Sequence, residues 1–334
     1  MGSHQDIIDA LIRLNLVSNV EFLKLTELGG GISSEIYRVD TSSKSICVKR
    51  ALPTLKSDRH WHVPVERSEA EWNWLNVAND IIPDIAPKPL GYDDQSNLVV
   101  MAYLDPKTFR NWKDLLRTGK IDPVIAGDVA RNLVTIHNST TNKPDFARQF
   151  ANDEVFYKIR LEAYFLAAGR SVPEVNNHMV QLAADTAAQK YALVHGDVSP
   201  KNILVGPEGP VFIDSECAWY GEPAFDAAFC LTHFLLKCAW QPQWKLQYLA
   251  CHKAFRQTYL DHVKWQEHEE MDRRITRLHL GMLLARVAGR SKVEYITELP
   301  EIEMIRKFAV HLLRQEIATT AEVAELWEKE WHVT

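Results

Sequence analysis

Between Leu193 and Glu216 the chain reads LVHGDVSPKNILVGPEGPVFIDSE, and three of its side chains are of types that could manage a divalent cation and a proton. Asp197 lies five residues before Asn202, on a loop stiffened by Pro200, where a carboxylate could accept the proton of an attacking hydroxyl. Ile203–Val205 and Val211–Ile213 are short apolar runs joined by Gly206-Pro207-Glu208-Gly209, which predicts an antiparallel hairpin with a tight loop. Asn202 and Asp214 flank those runs and are expected opposite each other at the hairpin's open end. One amide oxygen and one carboxylate would then converge. Such a pair suits Mg2+, which takes one or two carboxylates and completes its shell with waters and substrate phosphates.

Other elements must bring the rest of a site to this hairpin. Phe22–Leu28, Glu35–Asp40 and Ser45–Arg50 read as three strands. Between the first two stands Gly29-Gly30-Gly31-Ile32-Ser33, where missing Cβ atoms would let backbone amides approach phosphate oxygens. Alternation along the third strand puts Lys49 and Cys47 on one face and Ile46 and Val48 on the other. A helix follows over Val65–Ala78, then an apolar strand over Asn97–Leu104, then a one-sided helix over Val124–His137 with Ile125, Val129, Leu133 and Ile136 inward. His137 at its end reads as structural.

The Asp-to-Asn spacing with a later Asp resembles the protein-kinase catalytic loop and its DFG aspartate. His-Gly-Asp in place of His-Arg-Asp, then HGDVSPKN, IDSE and GEPAFD at 221–226, resembles more closely the aminoglycoside phosphotransferase and choline kinase-like superfamily. Glu222 and Ala227 are mild departures from its GDPxxDLA segment. The resemblance implies an α+β, two-lobed protein-kinase-like fold, with an N-terminal lobe over 1–103 and a mainly helical C-terminal lobe over 104–334. It implies ATP and Mg2+ as cofactors and transfer of the γ-phosphate to a hydroxyl of a small metabolite or antibiotic, an amino alcohol, sugar or aminoglycoside-like acceptor. In its terms Lys49 is the phosphate-binding lysine, paired with a carboxylate of the following helix. Glu66, Glu69 and Glu71 are available there; Glu71 shares a helix face with Leu75 and is chosen, with Glu69 next. Adenine would meet the hinge at Met101, Ala102 and Tyr103, His195 would support the catalytic loop, and Asp226 would hold it from behind. Ser199 stands where protein kinases often carry lysine, and neither an APE-like segment nor an activation loop follows Asp214, which disfavours a protein kinase. A nucleotide-binding pseudokinase scaffold is disfavoured by the intact set of Lys49, Asp197, Asn202 and Asp214, since a scaffold has no need of the base.

With 334 residues, 46% hydrophobic and 25% charged, the chain can bury a large core. A net charge of −6 without a basic stripe argues against nucleic acid. Five cysteines without a CxxC pair indicate neither zinc nor a disulfide framework and suggest the cytoplasm. The start MGSHQDIIDALIRLN lacks a signal-peptide core. The most apolar stretch, Ala224–Trp240, carries Asp226, His233 and Lys237 and is expected as a core helix, with no membrane span.

For the acceptor, implied to lie among residues 215–334 with help from 150–190, the side chains point two ways. Glu216, Glu222, the run Glu267–Asp272 and an aromatic wall drawn from Trp219, Trp240, Trp244 and Trp265 would suit a cation. Arg286 and Arg290 would suit a carboxylate or phosphate. Lys201 could touch the γ-phosphate or reach solvent, and the basic clusters at 272–274 and 286–292 are expected as salt-bridged helix faces.

Overall fold

A computed structural model describes residues 4–18, 23–29, 33–55, 58–62, 64–315 and 317–330. Gly30 and Gly31 of the glycine segment lie outside the described residues, as does Phe22.

The N-terminal part opens with α1 (His4–Arg13), followed by β1 (Lys24–Glu27), β2 (Ser34–Asp40), β3 (Ser45–Ala51), the small ribbon β4 (Thr54–Leu55) and β5 (Asp58–His62), α2 (Arg67–Ile81), β6 (Pro89–Asp93) and β7 (Leu98–Ala102). Strands β1, β2, β3, β7 and β6 form one antiparallel sheet in that order. Its faces are covered differently. Ile46, Val48, Leu98 and Val100 pack outward with Ile7, Ala10 and Leu11 of α1, whereas Val99 and Met101 face inward with Trp74 and Leu75 of α2. Burial of both faces explains why β7 reads as an unbroken apolar run.

The C-terminal part contains β8 (Arg110–Asn111), α3 (Trp112–Arg117), α4 (Pro123–Thr140), α5 (Pro144–Gln149), α6 (Asp153–Phe156), a π-helical stretch over Tyr157–Leu166, α7 (Ala167–Ser171) and α8 (Asn176–Ala188). Then come β9 (Ala192–Val194), β10 (Ile203–Gly206), β11 (Gly209–Phe212), β12 (Trp219–Gly221), α9 (Ala224–Trp240), α10 (Lys245–His262), α11 (His268–Ala288), α12 (Leu299–Leu313) and α13 (Thr320–Glu330). All of α9 but its last residue is buried, because α10 and α11 pack against it. Its Asp226, His233 and Lys237 therefore lie inside a helical bundle, and no helix among the described residues is long and apolar enough to cross a membrane. An antiparallel sheet with its helix on one side and a helical bundle on the other make up the expected two-lobed α+β fold.

Candidate functional site

Strand pairing places the hairpin one residue away from the expected register. Ile203 faces Phe212 and Gly206 faces Gly209, so the turn is Pro207-Glu208 and Asn202 lies across from Ile213, whose N–H donates to the Asn202 carbonyl at 2.9 Å. In a regular strand such a slip would turn Asp214 to the wrong face. Asp214 instead adopts a left-handed backbone, φ 64°, which re-aims its side chain. Its carboxylate reaches Lys49 Nζ from the opposite lobe.

The catalytic loop is built on a glycine. Gly196 has φ 81°, and a Cβ there would lie 2.5 Å from the Cys217 carbonyl oxygen, so a side chain is excluded. Asp226, fully buried at the start of α9, accepts the N–H of His195 at 2.7 Å and of Gly196 at 2.8 Å. Behind it stands His137, 3.4 Å from Asp226 and 2.8 Å from the Tyr259 hydroxyl. His195 packs edge-on against Trp74 at 4.8 Å, and its Nδ1 accepts the Asp197 N–H. Burial lowers the imidazole pKa, so it serves as a neutral acceptor.

Asp197 is buried, and one carboxylate oxygen is 3.1 Å from Arg160 and 3.3 Å from Lys201 while the other has no partner. Burial pushes this carboxyl up, but Lys201 and Arg160 outweigh it and hold the acid well below the usual range. It is a carboxylate with a free oxygen. Asn202 donates from Nδ2 to the Asp197 carbonyl at 3.1 Å, which turns the amide's own oxygen away from that bond. The Ser199 hydroxyl is buried without a partner. Lys201 is half-exposed at the mouth.

Across the cleft, Lys49 lies 2.8 Å from Glu71 of α2 and 3.9 Å from Glu216, besides its contact with Asp214. Burial opposes its charge, yet Asp214, Glu71 and Glu216 hold the ammonium well above its ordinary pKa. Burial likewise raises Glu71. Glu69, the second choice, makes no such contact, because α2 begins at Arg67 and turns Glu69 to solvent.

Sequence reasoning misses two arginines. Arg67, fully buried, bonds Glu216 at 3.1 Å and donates to the carbonyls of Ser33 at 2.5 Å, Leu52 at 2.8 Å and Pro64 at 2.8 Å. It ties the end of the glycine segment, β3 and the approach to α2 to the DSE segment of the other lobe. Arg160, in the π-helical stretch, donates to the Gly196 carbonyl and touches Asp197. A single basic residue opening an otherwise acidic helix was the available signal for Arg67; Arg160 has none, since π-helical spacing breaks the usual periodicity.

Other expectations are revised. The Ala102 N–H donates to the Lys88 carbonyl at 2.8 Å, so it is not available to adenine; Tyr103 carries Arg38 4.7 Å over its ring. Glu216 belongs to Arg67 and Ser34 in place of an acceptor. Glu222 caps α9 through Ala224 N–H and pairs with Arg274. Asp272 is buried on Thr320 and Arg256, and Glu270 pairs with Arg273. Arg286 is no salt-bridged surface residue: it is buried and donates to the Tyr164 hydroxyl and to Ser291. Gly29 borders open space.

Asp214 and the Asn202 amide bring oxygen donors of the kind a hard cation takes. Among the described residues there is no group of three or more His, Cys, Asp or Glu side chains that could hold a metal.

A family model described as the phosphotransferase enzyme family matches residues 24–260, and the chain belongs to that family. Curated relatives include methylthioribose kinases of Oryza sativa (24% identical over 66% of this chain and 58% of the relative) and Escherichia coli (28% over 66% and 59%). The chain thus spans under two thirds of those relatives' length. Solved structures of the same fold include a Plasmodium vivax ethanolamine kinase (17% identical, covering 88% of this chain and 83% of that one, TM-score 0.54) and a Cryptosporidium parvum choline kinase (13%, 98% and 95%, TM-score 0.54).

Proposed function

We propose that this member of the phosphotransferase enzyme family is a small-molecule kinase, moving the γ-phosphate of Mg-ATP to a hydroxyl of a small acceptor. One observation supports the reading above the others: Lys49, held by Glu71 on one side, reaches Asp214 on the other, and Asp214 follows the loop on which Asn202 holds the Asp197 carbonyl. The names of the relatives, kinases of methylthioribose, support a sugar-like hydroxyl as one acceptor class.

In this mechanism Lys49, held by Glu71, binds the nucleotide phosphates, with Gly29 and Ser33 toward the phosphates and the strand end at Met101–Tyr103 toward the base. The division into lobes falls near Tyr103. Asn202 and Asp214 would hold Mg2+, which when bound neutralises charge on the β- and γ-phosphates. Asp197 accepts a hydrogen bond from the acceptor hydroxyl and orients its oxygen toward the γ-phosphorus. The new O–P bond forms as the bond to the β–γ bridging oxygen breaks, ADP leaves, and the hydroxyl proton passes to Asp197. A base held so acidic is a weak one, and this suits a loose transition state in which positioning matters more than early proton removal. Five unpaired cysteines fit a reducing cytoplasm.

The test is ADP release from Mg-ATP with a panel of sugars, amino alcohols and hydroxy acids. Asp197→Asn should lower kcat by roughly a hundred- to ten-thousandfold while Mg-ATP still binds. Full transfer by that variant would refute the mechanism.

A further inference from the structure

One wall of the helical bundle carries three buried cationic or donor side chains, each with a nitrogen that no protein atom satisfies. Arg286 is 8% exposed and its Nε is unpartnered; His233 is 6% exposed with Nε2 unpartnered; Lys237 is 1% exposed with Nζ unpartnered. A buried donor without an acceptor costs free energy, and here three of them cluster along one wall.

The three are contiguous and lead from the catalytic loop. Arg160, 3.1 Å from Asp197, sits 5.7 Å over the Tyr164 ring, and Arg286 sits 5.4 Å over the same ring. Arg286 also lies 6.0 Å over Phe229, whose ring is 5.6 Å from that of His233. His233 Nδ1 is 2.9 Å from the Tyr295 hydroxyl, and Lys237 lies 4.7 Å over the Tyr295 ring and 5.1 Å over Trp240. Phe229, His233 and Lys237 stand one turn apart on a single face of α9. In the tautomer in which the tyrosine hydroxyl donates to Nδ1, the histidine proton sits on Nε2 and that nitrogen is a donor too. Acids that could have neutralised this wall are engaged elsewhere: Glu294 on Lys113, Glu222 on Arg274 and Glu216 on Arg67.

We propose that the acceptor is an anion, a hydroxylated small molecule bearing a carboxylate or phosphate that Arg286, His233 and Lys237 receive while its hydroxyl reaches Asp197. This deepens the kinase reading and rests on it. The aromatic rings along the wall exclude water around the anion and strengthen those bonds. A cationic acceptor would meet three like-charged or donor groups, none of them in contact with an acid.

The experiment is calorimetric titration of the protein saturated with Mg-AMP-PNP, using inorganic phosphate, glycerate, glycerol 3-phosphate, glycerol and 2-amino-1,3-propanediol. At least one anion should bind saturably and more tightly than the neutral and cationic alcohols. Carboxylate and phosphate are distinguished by glycerate against glycerol 3-phosphate. Arg286→Met and Lys237→Met should each weaken anion binding roughly tenfold or more, the loss of one charged hydrogen bond, with AMP-PNP affinity unchanged as the control for folding. Absence of anion binding, or variants that bind anions like the parent, would overturn the inference. So would turnover confined to neutral or cationic alcohols, which leaves the kinase reading intact. Anion binding sensitive to both variants in a protein that neither binds Mg-AMP-PNP nor transfers phosphate would keep the wall and overturn the kinase reading.

Discussion

Replacing Lys237 by methionine should make the protein more stable, and more so in acid than in base. The ammonium is enclosed by the rings of Trp240 and Tyr295, with His233 one turn before it on α9. Burial, followed by the charge of Lys113, brings its pKa from 10.5 down to about 7, and Glu294 and Asp114 recover only part of that. The sign follows from proton counting. Between about 7 and 10.5 the unfolded chain holds a proton that the native state lacks, so stability rises with pH across that window; below about 7 both states are charged and the full burial penalty applies. At 1.36 kcal/mol per pH unit the penalty reaches roughly 5 kcal/mol near pH 6 and shrinks to about 1 kcal/mol near pH 10. Methionine keeps the unbranched stem among the same neighbours and removes the charge. Relaxation around the ammonium trims the gain, so thermal unfolding of Lys237→Met near pH 6 should occur about 4–8 °C above the parent, with the two converging near pH 10. A lower midpoint, or a gain independent of pH, would refute the reasoning. Gaining stability while losing anion affinity is the pattern expected of a group kept for function.

Arg67→Met removes one donor from each of three carbonyls and the guanidinium partner of buried Glu216, and should cost about 3–5 kcal/mol, read as a lower unfolding midpoint together with a raised KM for ATP. Unchanged values of both would show that the inter-lobe bridge is dispensable. Asp226→Asn weakens the acceptor shared by the His195 and Gly196 amides, so kcat should fall by about tenfold or more with KM little changed, as steady-state kinetics would report. Asp197 and Asp214 both titrate below the usual carboxylate range, Asp214 because Lys49 and Lys201 outweigh its burial. Their stabilising contribution is therefore present above about pH 4 and lost as the pH falls through their lower native values, and acid unfolding of Asp197→Asn should be the shallower of the two.

What could be read in advance follows the range of the interactions involved. The loop and hairpin from His195 to Asp214 are local, and Lys49 with Glu71 is set by strand alternation and helix spacing, so each declares itself in a short window. Spacing misplaces the hairpin register by one residue because a two-residue turn and a longer loop share the same glycine-bounded composition, and the left-handed Asp214 that compensates leaves no mark in sequence. Arg67 and Arg160 act through backbone carbonyls of distant segments, and a carbonyl has no sequence identity to pair with. Acidic residues expected around the acceptor turn out to cap helices and pair with arginines, because an exposed-looking carboxylate and a buried one are spelled alike. His233 and Lys237 are the instructive case. They already stand out as the polar residues of an apolar helix, sufficient to argue against a membrane span. The bundle then buries both on one face beside Arg286 with no acid in contact with either, a cost that binding of an anion would recover.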